Sequence, residues 1–152
     1  EKHSNEMNGL RLIDTLSSYD NVLSITTAFG TKCLFGHQNN YTLELFDYVK
    51  GETVKVWNGH EKDITRSIYC PRIDRYLSCS RDKTIKLWNS LGPKPELDLH
   101  GHELVVTTIS VDNENMNLIS GSRDNSLKLW DLRTGKMRST ANISRNLVSA
   151  QY

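Results

Sequence analysis

Gly59-His60 recurs 42 positions on as Gly101-His102, and the same step carries Ser78 onto Ser120, Asp82 onto Asp124 and Trp88 onto Trp130. Between these marks, Ser80 to Asn89 (SRDKTIKLWN) aligns without a gap on Ser122 to Asp131 (SRDNSLKLWD). A repeat of this length constrains the fold more than composition can. A unit of about 40 residues is one supersecondary element, which buries its apolar faces only by stacking on its neighbours. A step of 42 back gives a worn copy, with Asn40, Thr42, Leu43, Leu45, Phe46 and Asp47 where Asp82, Thr84, Ile85, Leu87, Trp88 and Asn89 stand. On that mapping Ser18, Gly36, Asn40 and Phe46 take the places of the His, Ser, Asp and Trp, so the first unit lacks the set. A step forward lands on Ile143-Ser144 and Leu147-Val148.

Within each unit the apolar residues alternate with period two, as in Thr84-Ile85-Lys86-Leu87-Trp88 and Ser126-Leu127-Lys128-Leu129-Trp130, and the runs are rich in strand formers. Short polar turns, Arg81-Asp82-Lys83 and Arg123-Asp124-Asn125, join the inner hairpins. The spacing predicts four strands per unit and no helix. They fall at 21–27, 31–36, 42–46 and 52–57, then 64–70, 75–80, 84–88 and 95–99, then 105–111, 117–121, 126–130 and 136–141.

These residues resemble the WD-repeat (WD40) β-propeller family, through Gly-His, Ser-x-x-x-Asp and Trp-Asp/Asn across residues 16–152. The resemblance implies an all-β propeller with about three and a half four-stranded blades present. The units are 16–58 (degenerate), 59–100 and 101–142, with 143–152 starting a further blade and 1–15 containing a possible ring-closing outer strand near Leu10 to Leu16. Since such rings close at about seven blades, and a half ring leaves a long edge bare, the chain is expected to be an N-terminal part of a longer propeller, with a self-associating half ring as the alternative.

Ser, His and Asp are also the parts of a hydrolase triad, which makes His102, Ser120 and Asp124 candidates for catalysis. The resemblance gives them a structural role instead, as buried hydrogen-bond chains Trp130–Ser120–His102–Asp124 and Trp88–Ser78–His60–Asp82. A serine tied to an indole lacks the exposure, the oxyanion hole and the substrate space a nucleophile needs. Cys33 and His37 are four residues apart along a strand, about 13 Å, too far to share one tetrahedral ion. No phosphate loop or nucleotide fingerprint is present, so neither cofactor nor metal is expected.

In the family, partners commonly bind the face that carries the loops into the first strand and the inner hairpin turns. That places Asn21, Leu23 and Asn39, then Asp63, Thr65 and Arg81, then Val105, Thr107 and Arg123 on a candidate protein-binding face. The two arginines could hold acidic groups through planar bidentate pairs. Leu118-Ile119-Ser120, Asp124, Leu129-Trp130-Asp131 and Arg133 also fit the DWD box of family members that dock on cullin-RING ubiquitin ligases, with Arg133 as the contact. The wording of the second and third units, with Ser144-Arg145-Asn146-Leu147-Val148, resembles a cilium-associated member of the family.

Nineteen Lys and Arg against 18 Asp and Glu in 152 residues leave a charge of +1, which disfavours a general nucleic-acid or polybasic membrane binder. With 37% hydrophobic and 24% charged residues the composition is that of a globular protein. Three cysteines, Cys33, Cys70 and Cys79, suit a reduced compartment better than a disulfide framework, and two sequons (at Asn40 and Asn142) are read as chance. No apolar run has the roughly 20 residues a membrane span needs, and no signal core opens the chain. The expectation is an intracellular scaffold, cytoplasmic and ciliary in its narrower form, with a ubiquitin-ligase receptor as the alternative. Its partners are expected to be other proteins carrying acidic contact groups, not small molecules or nucleic acid.

Overall fold

The computed structural model describes residues 22–114 and 116–143, which form twelve strands in three antiparallel sheets, with no helix among them. β1 (Val22–Thr27), β2 (Lys32–His37), β3 (Leu43–Asp47) and β4 (Glu52–Trp57) lie side by side in chain order. So do β5 (Ile64–Cys70), β6 (Arg75–Ser80), β7 (Ile85–Trp88) and β8 (Leu97–Leu99). The third sheet is β9 (Val106–Val111), β10 (Asn117–Ser122), β11 (Ser126–Asp131) and β12 (Lys136–Asn142). The strands lie within two residues of their expected bounds. β8 starts two residues late because Pro93 and Pro95 have no N–H for the ladder, and the first link to β7 is the Glu96 N–H donating to the Leu87 carbonyl at 2.7 Å. Of the expected features, Leu10 to Leu16, Ser17-Ser18, Asn21 and residues 144–152 lie outside the described residues.

The first strand of each sheet packs on the first strand of the next, β1 on β5 and β5 on β9, so the sheets fan out as blades. Between the first two sheets sit Leu34, Leu43, Leu45 and Trp57 against Ile64, Tyr76 and Trp88. Between the second and third, Leu77, Cys79, Ile85 and Leu87 meet Val106, Ile109, Leu118 and Trp130. The middle sheet is therefore covered on both faces, and all four residues of β7 are buried, including Lys86, whose ammonium reaches Asp98 at 2.6 Å. β12, an outer edge strand, is exposed along its whole length and carries Lys136 and Arg138, the charged edge that discourages further strand pairing.

One expectation fails, in the first sheet. Ser78 pairs across the ladder with Lys86, and Ser120 with Lys128, but the residue paired with Glu44 is Phe35 rather than Gly36. Two length changes cancel there. Thr27 pairs with Cys33, six positions on, where Tyr69 pairs with Tyr76, seven on. The next turn is closed by His37 N–H to the Thr42 carbonyl, five positions apart, where Ser80 and Thr84 are four apart. The longer turn has left-handed backbone at both Asn39 (φ 72°) and Tyr41 (φ 60°), while the matching turns have it only at Lys83 (φ 75°) and Asn125 (φ 63°). A slip of one residue sends every β2 side chain to the opposite face. Phe35, not Gly36, thus occupies the serine position and stacks on Phe46 with ring centroids 5.6 Å apart. Gly36 instead faces the second sheet, where a Cβ would lie 2.3 Å from Ser24 Oγ and 2.8 Å from Ile64 Cγ2.

Candidate functional site

The Gly-His pairs close the loops that enter the second and third sheets. Gly59 and Gly101 lie against the edges of Trp88 and Trp130; an added Cβ would stand 3.0 and 3.2 Å from each ring's Cη2, so a bare backbone is what lets the loop seat on the indole. The following histidine then reaches two partners. His60 Nδ1 is 2.7 Å from Asp82 Oδ2 and its Nε2 is 2.8 Å from Ser78 Oγ, which accepts the Trp88 indole N–H at 2.9 Å. The third sheet repeats this with 2.9 Å for His102 to Asp124, 2.7 Å for His102 to Ser120 and 2.8 Å for Trp130 to Ser120.

Chemistry orders the protons along this chain. An ionised aspartate only accepts, so the histidine Nδ1 carries a hydrogen, Nε2 accepts from the serine hydroxyl, and the serine oxygen accepts from the indole. Each aspartate also takes three more bonds from its own surroundings. For Asp82 these are the Glu61 N–H at 3.0 Å and the Thr84 N–H and hydroxyl at 2.9 and 2.7 Å; for Asp124 they come from Glu103 and Ser126. Burial pushes the pKa of Asp82 up, but the bonds from His60, Thr84 and Glu61 outweigh it and hold the carboxyl well below its usual range. Asp124 is held down the same way by Ser126, Glu103 and His102. For His102 burial is the larger influence and lowers its value despite the pull of Asp124.

The order Ser–His–Asp matches a hydrolase triad, and access is what differs. Ser78 and Ser120 have no solvent exposure, and each hydroxyl is enclosed between an imidazole and an indole. No substrate carbon can approach either oxygen without dismantling the blade. In the first sheet, among the described residues, Asn40 keeps the aspartate's turn bonds to Thr42, while the Phe35–Phe46 stack stands where the serine and tryptophan would be. His37 lies one step further along and bonds Glu44 at 2.7 Å.

The residues expected on the turn face divide in three ways. Thr65 is turned inward, since its hydroxyl donates to the Val106 carbonyl at 2.5 Å and ties the second sheet to the third. The Thr107 hydroxyl donates to the Gly121 carbonyl at 3.3 Å within its own sheet. Arg81 lies over Asp63, with a 3.6 Å ion pair between them. Val105 and Arg123 share the matching place in the third sheet, and Leu23 and Asn39 are exposed at the first. Arg133, at the opposite end of its sheet, folds back on Asp131 with contacts of 3.3 and 3.2 Å yet keeps 63% of its side chain exposed. Arg138 bonds the same carboxylate, and the two guanidiniums hold Asp131 far below the ordinary carboxylate range.

Trp57 was not singled out by the repeat, because Leu99 stands 42 positions on. It packs on Tyr76 at 4.9 Å and donates its indole N–H to the Asn89 carbonyl at 2.8 Å, which joins the first sheet to the second. The three cysteines are free and buried. Burial pushes the Cys70 and Cys79 thiols up to about 12 and raises Cys33 as well. Among the described residues no group of three or more His, Cys, Asp or Glu is placed to hold a metal ion, and no helix is long and apolar enough to cross a membrane.

The model of the family "WD domain, G-beta repeat" matches residues 51–89 and 93–131. Each match runs from the outer strand of one sheet through the first three strands of the next, so the family's repeat is staggered by one strand against the blade. The chain is 32% identical over 81 residues to eukaryotic translation initiation factor 3 subunit I of Schizosaccharomyces pombe, covering 53% of this chain and 25% of that one. The same factor of Xenopus laevis is 36% identical over 78 residues, 51% of this chain and 24% of the relative. Mitochondrial division protein 1 of Kluyveromyces lactis is 30% identical over 138 residues, 80% of this chain and 19% of the relative. The chain thus spans about a quarter or less of the length of these relatives. Among solved structures, the computationally designed Ika4 protein superposes with a TM-score of 0.79 at 20% identity, covering 95% of this chain and 87% of that one. The designed Ika8 protein gives 0.76 at 19% identity, covering 86% of this chain and 40% of that one, and both likenesses are of fold alone.

Proposed function

Because the chain belongs to the WD40-repeat family, we propose that it is a non-catalytic, intracellular protein-interaction platform whose partners dock on the face that carries the inner hairpin turns. The observation that carries this reading is the enclosure of Ser78 and Ser120, which leaves the conspicuous Ser–His–Asp sets holding loops in place rather than acting on substrate. Loops held this firmly keep their exposed residues in fixed positions, which lowers the ordering cost of binding. The names of the relatives fit: one is a subunit of a translation initiation factor. A fold shared by many functions does not select among partners, so the residues on the turn face carry that part of the argument.

The test is affinity capture with Arg81→Gln/Arg123→Glu, whose folding is checked by circular dichroism. Recovery of partner proteins should fall while the melting temperature holds, and unchanged recovery would remove this face from consideration. A ciliary scaffold and a ligase receptor are narrower forms of the same platform. The first requires the tagged protein to concentrate at the basal body or axoneme. In the second Arg133 meets the adaptor with the donors Asp131 leaves unused, so Arg133→Ala should release a cullin adaptor and no other partner.

A further inference from the structure

The two turn arginines stand 42 positions apart in equivalent turns, and their surroundings make them unequal. The Arg81 N–H donates to the Asp63 carbonyl at 2.9 Å, and its guanidinium is 3.6 Å from the Asp63 carboxylate. That carboxylate also accepts the Asn39 N–H of the first sheet at 3.3 Å. Arg81 is thus one part of a joint between two blades, with its charge balanced inside the protein. Arg123 makes the same backbone bond, to the Val105 carbonyl at 3.0 Å, but valine brings no carboxylate. Among the described residues the Arg123 guanidinium has no ion-pair partner.

The other acids nearby match one for one. Glu61 and Glu103 each place a backbone N–H on the aspartate of the turn, and Asp82 and Asp124 are both engaged by histidine and by Thr84 or Ser126. The single exchange of Asp63 for Val105 therefore decides which arginine is free. Beside Arg123 stand the half-buried Val105 and Leu104, which is 49% exposed and whose carbonyl accepts the Ser122 hydroxyl at 3.2 Å. The arginine and the leucine are thus held by one turn.

We propose that Arg123, with Leu104 and Val105, is the anchor of the turn face, and that it takes an acidic side chain flanked by an apolar one on a partner protein, while Arg81 is a joint and not an anchor. This rests on the platform reading above. A guanidinium with its planar fork of donors uncommitted suits a carboxylate held in bidentate fashion. An exposed ion pair on its own contributes little, so the apolar neighbour is needed to exclude water from it.

The decisive variant is Val105→Asp, since the chain already accommodates aspartate at this place in the second sheet. It would supply Arg123 with the internal partner that Arg81 has. A random-peptide phage library is selected on the immobilised full chain and on its Val105→Asp, Arg123→Gln and Arg81→Gln variants, each checked by thermal melting. The wild type and Arg81→Gln should enrich peptides with Asp or Glu next to a large apolar residue, and enrichment on Val105→Asp and Arg123→Gln should fall roughly tenfold or more. If Val105→Asp melts early, Arg123→Gln at the exposed position decides alone. Peptides without an acid, or equal enrichment on wild type and Arg123→Gln, would overturn the anchor and leave the platform standing. No enrichment above bare matrix on any form would overturn the platform as well.

Discussion

Replacing Ser120 by alanine removes one oxygen and breaks two bonds at once. The Trp130 indole N–H at 2.8 Å loses its acceptor, and His102 Nε2 at 2.7 Å loses its donor. None of the three groups can turn to water instead: Ser120 is 0% exposed, Trp130 2% and His102 6%. An unsatisfied buried polar group costs about 1–3 kcal/mol, and the space left by one oxygen is too small for a water to fill. Because the two losses share a site and do not simply add, the expected loss is about 2–4 kcal/mol. For a domain of this size that lowers the melting temperature by roughly 5–15 °C. Ser78→Ala should match it, since its bonds are 2.9 and 2.8 Å in an equally enclosed site. A thermal melt followed by circular dichroism measures both. In a Trp130→Phe background no indole is stranded, so Ser120→Ala should cost about 1 kcal/mol less than in the wild type. A Ser120→Ala protein that melts within about 1 °C of wild type would refute the enclosed-network reasoning. So would one that loses an enzymatic activity without any loss of stability.

Gly36→Ala should cost about 1–3 kcal/mol, because its Cβ would press on Ser24 Oγ and Ile64 Cγ2 at 2.3 and 2.8 Å; denaturant titration measures this, and a neutral result would contradict the slipped register. Cys70 and Cys79, pushed up to about 12 by burial, should not react with a disulfide reagent near neutral pH until denaturant is added. Rapid reaction of either thiol in the native protein would show that the sheets part readily. Acid should destabilise the protein in two stages. With its folded value lowered, His102 takes up a proton more readily in the unfolded chain, so stability should begin to fall as pH drops through about 6.5. The lowered Asp82 and Asp124 act the same way further down, stabilising the fold fully above the unfolded carboxylate value and losing that contribution progressively from about pH 5 downward. A melting temperature that stays level between pH 7 and about pH 5 would contradict the first stage, and one level from about pH 5 to about pH 2 the second. Asp63→Val should free Arg81 and give the second sheet the character of the third, so a peptide selected on Arg123 should gain a second, weaker binding event in calorimetry.

Much of this architecture is legible in the chain before any folding. Strand positions follow from alternation within short runs, and the turns from Asp82 and Asp124 bonding their own neighbours two residues on. The assignment of His, Ser, Asp and Trp to one hydrogen-bond chain comes from the resemblance to WD repeats, and the constant step of 42 carries it from one unit to the next. The same constancy misleads in the first sheet. A turn shortened by one residue and the next lengthened by one leave the 42-residue period intact, so only the ladder, with Phe35 opposite Glu44, reveals the slip. The pairing of Arg81 and the freedom of Arg123 were equally out of reach, as were the inward turn of Thr65 and the joint made by Trp57. Each depends on which residue a neighbouring turn or sheet brings alongside: Asn39 against Asp63, Thr65 against Val106, Trp57 against Asn89. Periodicity records what a residue does within its own sheet, whereas these contacts form only when separate sheets pack, and packing is what decides which charges are balanced inside the protein and which remain for a partner.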